Sequence, residues 1–273
     1  MKTAFFSLTL AVFGLLSACS NATPANKDVS KFIANTLTIK DLAGSWVNAA
    51  YLDALTESRS PRQSADKMGD IALLNFSPDN LKGDSLIGEL SYNGHEGGQY
   101  RVVFKAGKNP NSVQFGEYSP DNNATPSDLT LENGLLTITH HDPNEVAGQP
   151  RGRVKAPLTF RRFSPTVQSL DDGNSHAAIQ TLFTGDWTMT DKTGKKTPLK
   201  VDNAGKITGV PDYAYMSVLT DYTGETLPHD EVYIFDGVSK QPNIYHVKHD
   251  GKTIQFTTTG AGKKERLEFT WAK

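Results

Sequence analysis

The chain has 273 residues, with 28 basic against 30 acidic side chains and 37% hydrophobic content. That length suffices for one large domain or two small ones. The near-balanced charge, with no Lys/Arg stripe, argues against nucleic acid as a partner. The hydrophobic content excludes a disordered chain or a polytopic membrane protein. The single cysteine excludes a disulfide framework and a cysteine-based zinc site.

Residues 1–18 read as an export signal and not as mature structure. Lys2 gives a basic start, and Ala4 to Leu16 form an apolar stretch too short to span a bilayer. The next residues, Leu16-Ser17-Ala18-Cys19, resemble the lipobox of bacterial lipoproteins. That resemblance implies diacylglycerol on the Cys19 thiol, cleavage before Cys19, and stable anchoring through several acyl chains. The same resemblance to bacterial lipoproteins implies that Ser20, being other than Asp, directs sorting to the outer membrane, facing the periplasm or flipped to the cell surface. Residues 19–35 are small and polar and read as a tether.

Past the tether, short apolar strands alternate with turn clusters, which predicts antiparallel all-β architecture. Eight strands are expected in a first half, residues 36–164: 44–48, 71–77, 86–92, 99–105, 113–118, 128–132, 135–140 and 157–163. Asn93-Gly94 and Asn133-Gly134 mark turns. Between the first two strands, Tyr51, Ala54, Leu55 and Ser58 recur at helical spacing, and Ser60-Pro61-Arg62-Gln63 is a capping box. A helix-turn-helix insertion is therefore expected at about 49–67. A polar linker is placed at 165–174 and a second, smaller half at 175–273. An eight-stranded meander with one apolar face closes most naturally into a barrel.

The halves share a faint repeat, Leu42-Ala43-Gly44-Ser45-Trp46 against Phe183-Thr184-Gly185-Asp186-Trp187. Both openings resemble the lipocalin and fatty-acid-binding superfamily, in which Gly-x-Trp lies on the first strand at the closed end of the barrel. The resemblance implies two tandem calycin-type barrels, the insertion serving the first as a lid, with Trp46 and Trp187 at the closed ends. Related carriers use an arginine to hold a ligand carboxylate. Strand directions instead place Arg162 beside Trp46, where a guanidinium over an indole favours a structural role.

At the opposite rim the apolar parity turns Tyr92, Tyr100, Glu117 and His140 inward. Glu117 and His140 either pair or remain solvated at the rim, or they form a polar collar for the head of an apolar ligand. In the ligand reading, Tyr51 and Leu55 cover the mouth. His246 and His249 lie three apart on a strand and so face opposite sides, which argues against metal. No nucleophile motif, zincin motif, Walker loop or dinucleotide fingerprint occurs, so neither enzymatic activity nor a cofactor is expected. The leading functional expectation is a lipid-anchored carrier of a small apolar or amphipathic ligand in the first barrel. The alternative is an envelope interaction module, such as an inhibitor, adhesin or assembly factor, with barrels filled by side chains. Tyr213, Tyr215, Tyr222, Tyr233 and Tyr245 concentrate in the second half, either as core packing or as a surface for a protein partner.

Overall fold

The computed structural model describes residues 37–92, 96–118, 127–141, 156–222, 227–237, 241–258 and 269–272. Cys19, the tether and the expected turn at Asn93-Gly94 lie outside these residues.

The fold is all-β, with two antiparallel barrels in tandem. The first contains β1 (Gly44–Asn48), β2 (Ile71–Phe76), β3 (Leu81–Lys82), β4 (Ser85–Tyr92), β5 (Glu96–Ala106), β6 (Val113–Glu117), β7 (Ser127–Glu132), β8 (Leu135–His140) and β9 (Leu158–Ser164). β1 pairs with both β2 and β9, and β2 pairs with β4, so the eight long strands close completely. Only the two-residue β3, which pairs antiparallel with the start of β4, was not anticipated by the strand pattern. The turn at Asn133-Gly134 holds positive φ at both residues, as a tight hairpin with this twist requires.

The second barrel contains β10 (Gly185–Thr190), β11 (Lys196–Val201), β12 (Ile207–Thr208), β13 (Tyr215–Val218), β14 (Asp230–Phe235), β15 (Asn243–His249), β16 (Thr253–Thr258) and β17 (Phe269–Ala272). Its order is β12-β11-β10-β17-β16-β15-β14-β13. A bridge between Lys206 and Tyr215, and the bond from the Ile207 N–H to the Ala214 carbonyl at 2.8 Å, nearly close it. This arrangement is compatible with a calycin-like fold.

A helix precedes each Gly-x-Trp strand: α1 (Ile39–Leu42) before β1, and α4 (Leu170–Leu182) before β10. The insertion forms α2 (Ala49–Ser58) and α3 (Pro61–Ser64). Asn48 caps α2 by accepting from the Ala50 and Tyr51 N–H groups, and Ser60 caps α3 by accepting from Gln63 N–H. Pro61 fits the first turn of α3, where its missing N–H is no loss.

The cores differ from a simple pair of separate barrels. One cluster fills barrel 1, with Trp46, Phe76, Tyr100, Phe115 and Phe160 among its fully or almost fully buried members. The other runs from the barrel 2 interior through Ala177, Ala178, Ile179 and Leu182 of α4 to Val47, Ala72 and Leu73 on the outside of barrel 1. The segment expected as a polar linker is part of this join. Gln168 N–H donates to the Ser45 hydroxyl at 2.8 Å, the Asn75 amide donates to the Gln168 carbonyl at 2.7 Å, and Leu170 already begins α4. The run SLDDGNSHAAIQTL looks polar because its small residues, not large apolar ones, make the close approach.

Candidate functional site

The two Gly-x-Trp openings are built alike. In barrel 1 the Trp46 indole N–H donates to the Leu42 carbonyl at 2.7 Å, and in barrel 2 the Trp187 indole N–H donates to the Phe183 carbonyl at 2.6 Å. Each indole thereby satisfies a carbonyl at the end of the preceding helix. The Arg162 guanidinium lies 4.6 Å from the Trp46 ring and donates to the Asp41 carbonyl. Barrel 2 uses different neighbours for the same indole. Trp271 packs against Trp187 at 6.1 Å, and His249 meets it edge-on at 6.4 Å. His249 Nδ1 accepts from the Gly251 N–H, which leaves Nε2 to donate to the Leu182 carbonyl at 3.2 Å.

The residues expected around the mouth of barrel 1 do not form one group. Tyr100 is fully buried, spans the interior over Gly88 and donates to the Asn75 carbonyl at 2.6 Å. Its ring packs against Phe76 and Phe115, with centroids 5.0 and 5.2 Å apart. A β-carbon on Gly88 would lie 2.1 Å from the Tyr100 ring, so the glycine makes room for this filling. Tyr92 is half-buried against the same cluster. His140 Nδ1 lies 3.0 Å from the hydroxyl of the buried Ser127. The Glu117 backbone pairs with Tyr100; its side chain lies outside the described residues. On the other face of β7, burial would raise the Asp128 pKa, but the Asn109 and Lys108 N–H groups, Ser112 and His141 bring it below the usual carboxylate value.

Tyr51 and Leu55 belong to the cluster shared with barrel 2 and are fully buried there. The Asp230 carboxylate accepts from the Arg62 N–H at 2.8 Å, joining α3 to β14. Burial raises the Tyr51 pKa, and the nearby Tyr222 and Asp230 add to that. Asp230 is itself raised by burial, against the opposing pull of Arg62 and Ser60. The amphipathic spacing identified the buried stripe of α2, but spacing alone does not say which body will cover it.

On barrel 2 the five tyrosines divide. Tyr245 is buried and its hydroxyl lies 3.5 Å from that of Tyr213. The outer face of β13–β14–β15 carries Tyr215, Phe235, Tyr233 and Ile244, brought together by the pairings Tyr215 with Phe235 and Tyr233 with Ile244. Tyr215 and Phe235 stack in parallel, with centroids 4.4 Å apart and planes 8° apart. Tyr215 is 47% and Ile244 37% exposed. The next row of this face holds Glu231 beside His246, their Oε1 and Nε2 atoms 3.4 Å apart, and the His229 ring lies 3.9 Å from that of His246.

A shallow, open groove of about 620 Å³ crosses the outside of β10, β11, β12 and β17, lined by Asp186, Thr188, Pro198, Lys200, Thr208 and Ala272 among others. Among the described residues no three His, Cys, Asp or Glu side chains converge as metal ligands. No family model matches the chain, and neither a curated protein nor a solved structure matches it.

Proposed function

We propose that this chain is a lipid-anchored envelope protein that works by contacting another protein, its barrels serving as side-chain-filled scaffolds. The observation that carries this reading is the exposed Tyr215–Phe235 stack, set with Tyr233 and Ile244 on one outer sheet face. Exposed tyrosine gives a large contact area at low entropy cost. The partner suited to this face is a protein presenting an apolar ridge, one that can lay a proline or aromatic side chain against Tyr215. Four side chains make a small patch, of a size compatible with a transient contact. Anchoring through Cys19 and the tether would raise the effective concentration for a partner in the same membrane. No catalytic step is assigned to the chain.

The carrier reading is less well supported, because Tyr100, Phe76 and Phe115 occupy the interior of barrel 1 and Tyr51 and Leu55 are engaged with barrel 2. The test uses mature protein from its own host, with a photo-crosslinking side chain at Tyr215 or, as control, at Lys200. A discrete adduct from position 215 only, to an apolar peptide and lost in Phe235→Asp, supports the contact surface. Native mass spectrometry that finds a stoichiometric lipid in barrel 1 would restore the carrier reading.

A further inference from the structure

We propose that the His229–His246–Glu231 cluster makes the aromatic face of barrel 2 respond to pH, loosening it in acid. The inference rests on the contact-surface reading above for its consequence, but its geometry is independent of any partner. Glu231 and His246 are paired residues on β14 and β15, with Oε1 and Nε2 3.4 Å apart. The other carboxylate oxygen accepts from the Tyr233 hydroxyl at 3.4 Å, and Tyr233 belongs to the aromatic face. Glu231 is thus shared between the imidazole and the aromatic patch.

Among the described residues the following groups face His246. β14 supplies Glu231 and Tyr233, and the connection before β14 supplies His229 and Tyr222, whose hydroxyl accepts from the Glu231 N–H at 3.3 Å. β16 places the uncharged Thr257 opposite, and β15 itself carries Lys248 two residues on, on the same face. Asp230, next to both His229 and Glu231, is held toward Arg62 of α3.

While His246 is neutral, Glu231 is available to the Tyr233 hydroxyl. A proton on His246 turns the Glu231–His246 contact into a charge-assisted one and draws the carboxylate from Tyr233. The His229 ring, tilted 36° to that of His246 with centres 3.9 Å apart, opposes that charge. Burial and His229 both disfavour the charged form of His246, while Glu231 favours it, and its pKa lies below 6.5 on balance.

The test is a histidine and tyrosine NMR titration of the full mature chain in detergent micelles, from pH 8 to 5. The expected result is a His246 midpoint below the ordinary imidazole value of about 6.5. Tyr233 ring resonances should shift with the same midpoint. His229→Gln should leave His246 a higher midpoint, while His249 beside Trp187 reports an intact fold. An unmoved His246 midpoint in His229→Gln, or Tyr233 resonances that ignore the His246 titration, would each overturn the proposal. Crosslinking from Tyr215 at pH 7.5 is scored separately. Its loss removes the contact-surface reading, whereas a failed titration with crosslinking intact removes only the regulation.

Discussion

Gly173 of α4 sits against Leu73 of β2 so closely that a β-carbon there would lie 2.4 Å from Leu73 Cδ1. Leu73 points outward from barrel 1 and is fully buried, so this contact joins the two barrels. The cluster containing it also contains the interior of barrel 2, which couples folding of the second barrel to the outer surface of the first. The chain should therefore unfold in a single calorimetric transition. Gly173→Leu should split it into two, with the first transition lowered, because overpacking here costs about 1–3 kcal/mol. A single, unchanged transition in that variant would show that the barrels are energetically separate.

The two Gly-x-Trp tryptophans give a matched pair of predictions. Trp46→Phe and Trp187→Phe each keep most of the ring but leave the Leu42 or Phe183 carbonyl without its indole donor. Each should lose about 1–3 kcal/mol, the cost of an orphaned buried group plus some packing, read from urea midpoints. Arg162→Met should cost less, about 0.5–2 kcal/mol, because it removes the charge over the ring while keeping an aliphatic stem. A Trp187→Phe variant as stable as the parent would mean that the repeated motif has kept its sequence but lost its role.

The barrels were legible because each strand carries its own information. Alternation at Leu86/Gly88/Leu90, the turn at Asn133-Gly134 and the repeated Gly-x-Trp are all local signals. Arg162 could be placed beside Trp46 because strand eight must run antiparallel to strand one. What depended on tertiary contact was not legible. α4 hides behind a polar composition because its packing uses Gly173, Ala177 and Ala178, residues that carry little hydrophobic signal. The stripe of Tyr51 and Leu55 announced a buried helix face, but the same stripe would serve a lid or a brace. Tyr100 had the right parity for a mouth residue, yet its reach across Gly88 to the Asn75 carbonyl makes it filling. The neighbourhood of His229 and His246 depends on how the connection before β14 folds back, and no local pattern encodes that.

The seam between α2–α3 and β14 permits a test of which polar groups matter. The Tyr51 hydroxyl is buried and has no hydrogen-bond partner among the described residues. Tyr51→Phe should therefore be neutral or slightly stabilising, since it removes a desolvated group without orphaning another. Asp230→Ala should be destabilising by about 1–3 kcal/mol, because it leaves the Arg62 N–H without its acceptor. Asp230→Asn keeps an acceptor oxygen and removes a buried charge, so it should lie close to the parent. Denaturant midpoints of the three variants check the order Tyr51→Phe, Asp230→Asn, Asp230→Ala, from most to least stable.

Stability should also depend on pH in a way that separates these groups. The His246 pKa is lowered in the fold from 6.5, chiefly by burial, so the unfolded chain binds its proton first as pH falls. Its contribution is complete above 6.5 and is lost between 6.5 and its lower folded value. Asp230 acts in the opposite direction. Its pKa is raised by burial, so the folded state gains on acidification between the raised value and 3.8. Asp128 and Asp250 are lowered and support the fold above 3.8. Asp250, held by bonds from the Thr253 hydroxyl and N–H and the Lys252 N–H, falls to about 2 and loses its contribution as pH approaches that value. Urea midpoints between pH 8 and 3 should accordingly be flat above pH 7, decline through a shoulder below 6.5, and fall again below 4. His246→Gln should flatten the shoulder and leave the lower limb in place, while Asp230→Asn should deepen the decline between them by removing the opposing gain. A shoulder that survives His246→Gln unchanged would assign it to another group and remove His246 from the account.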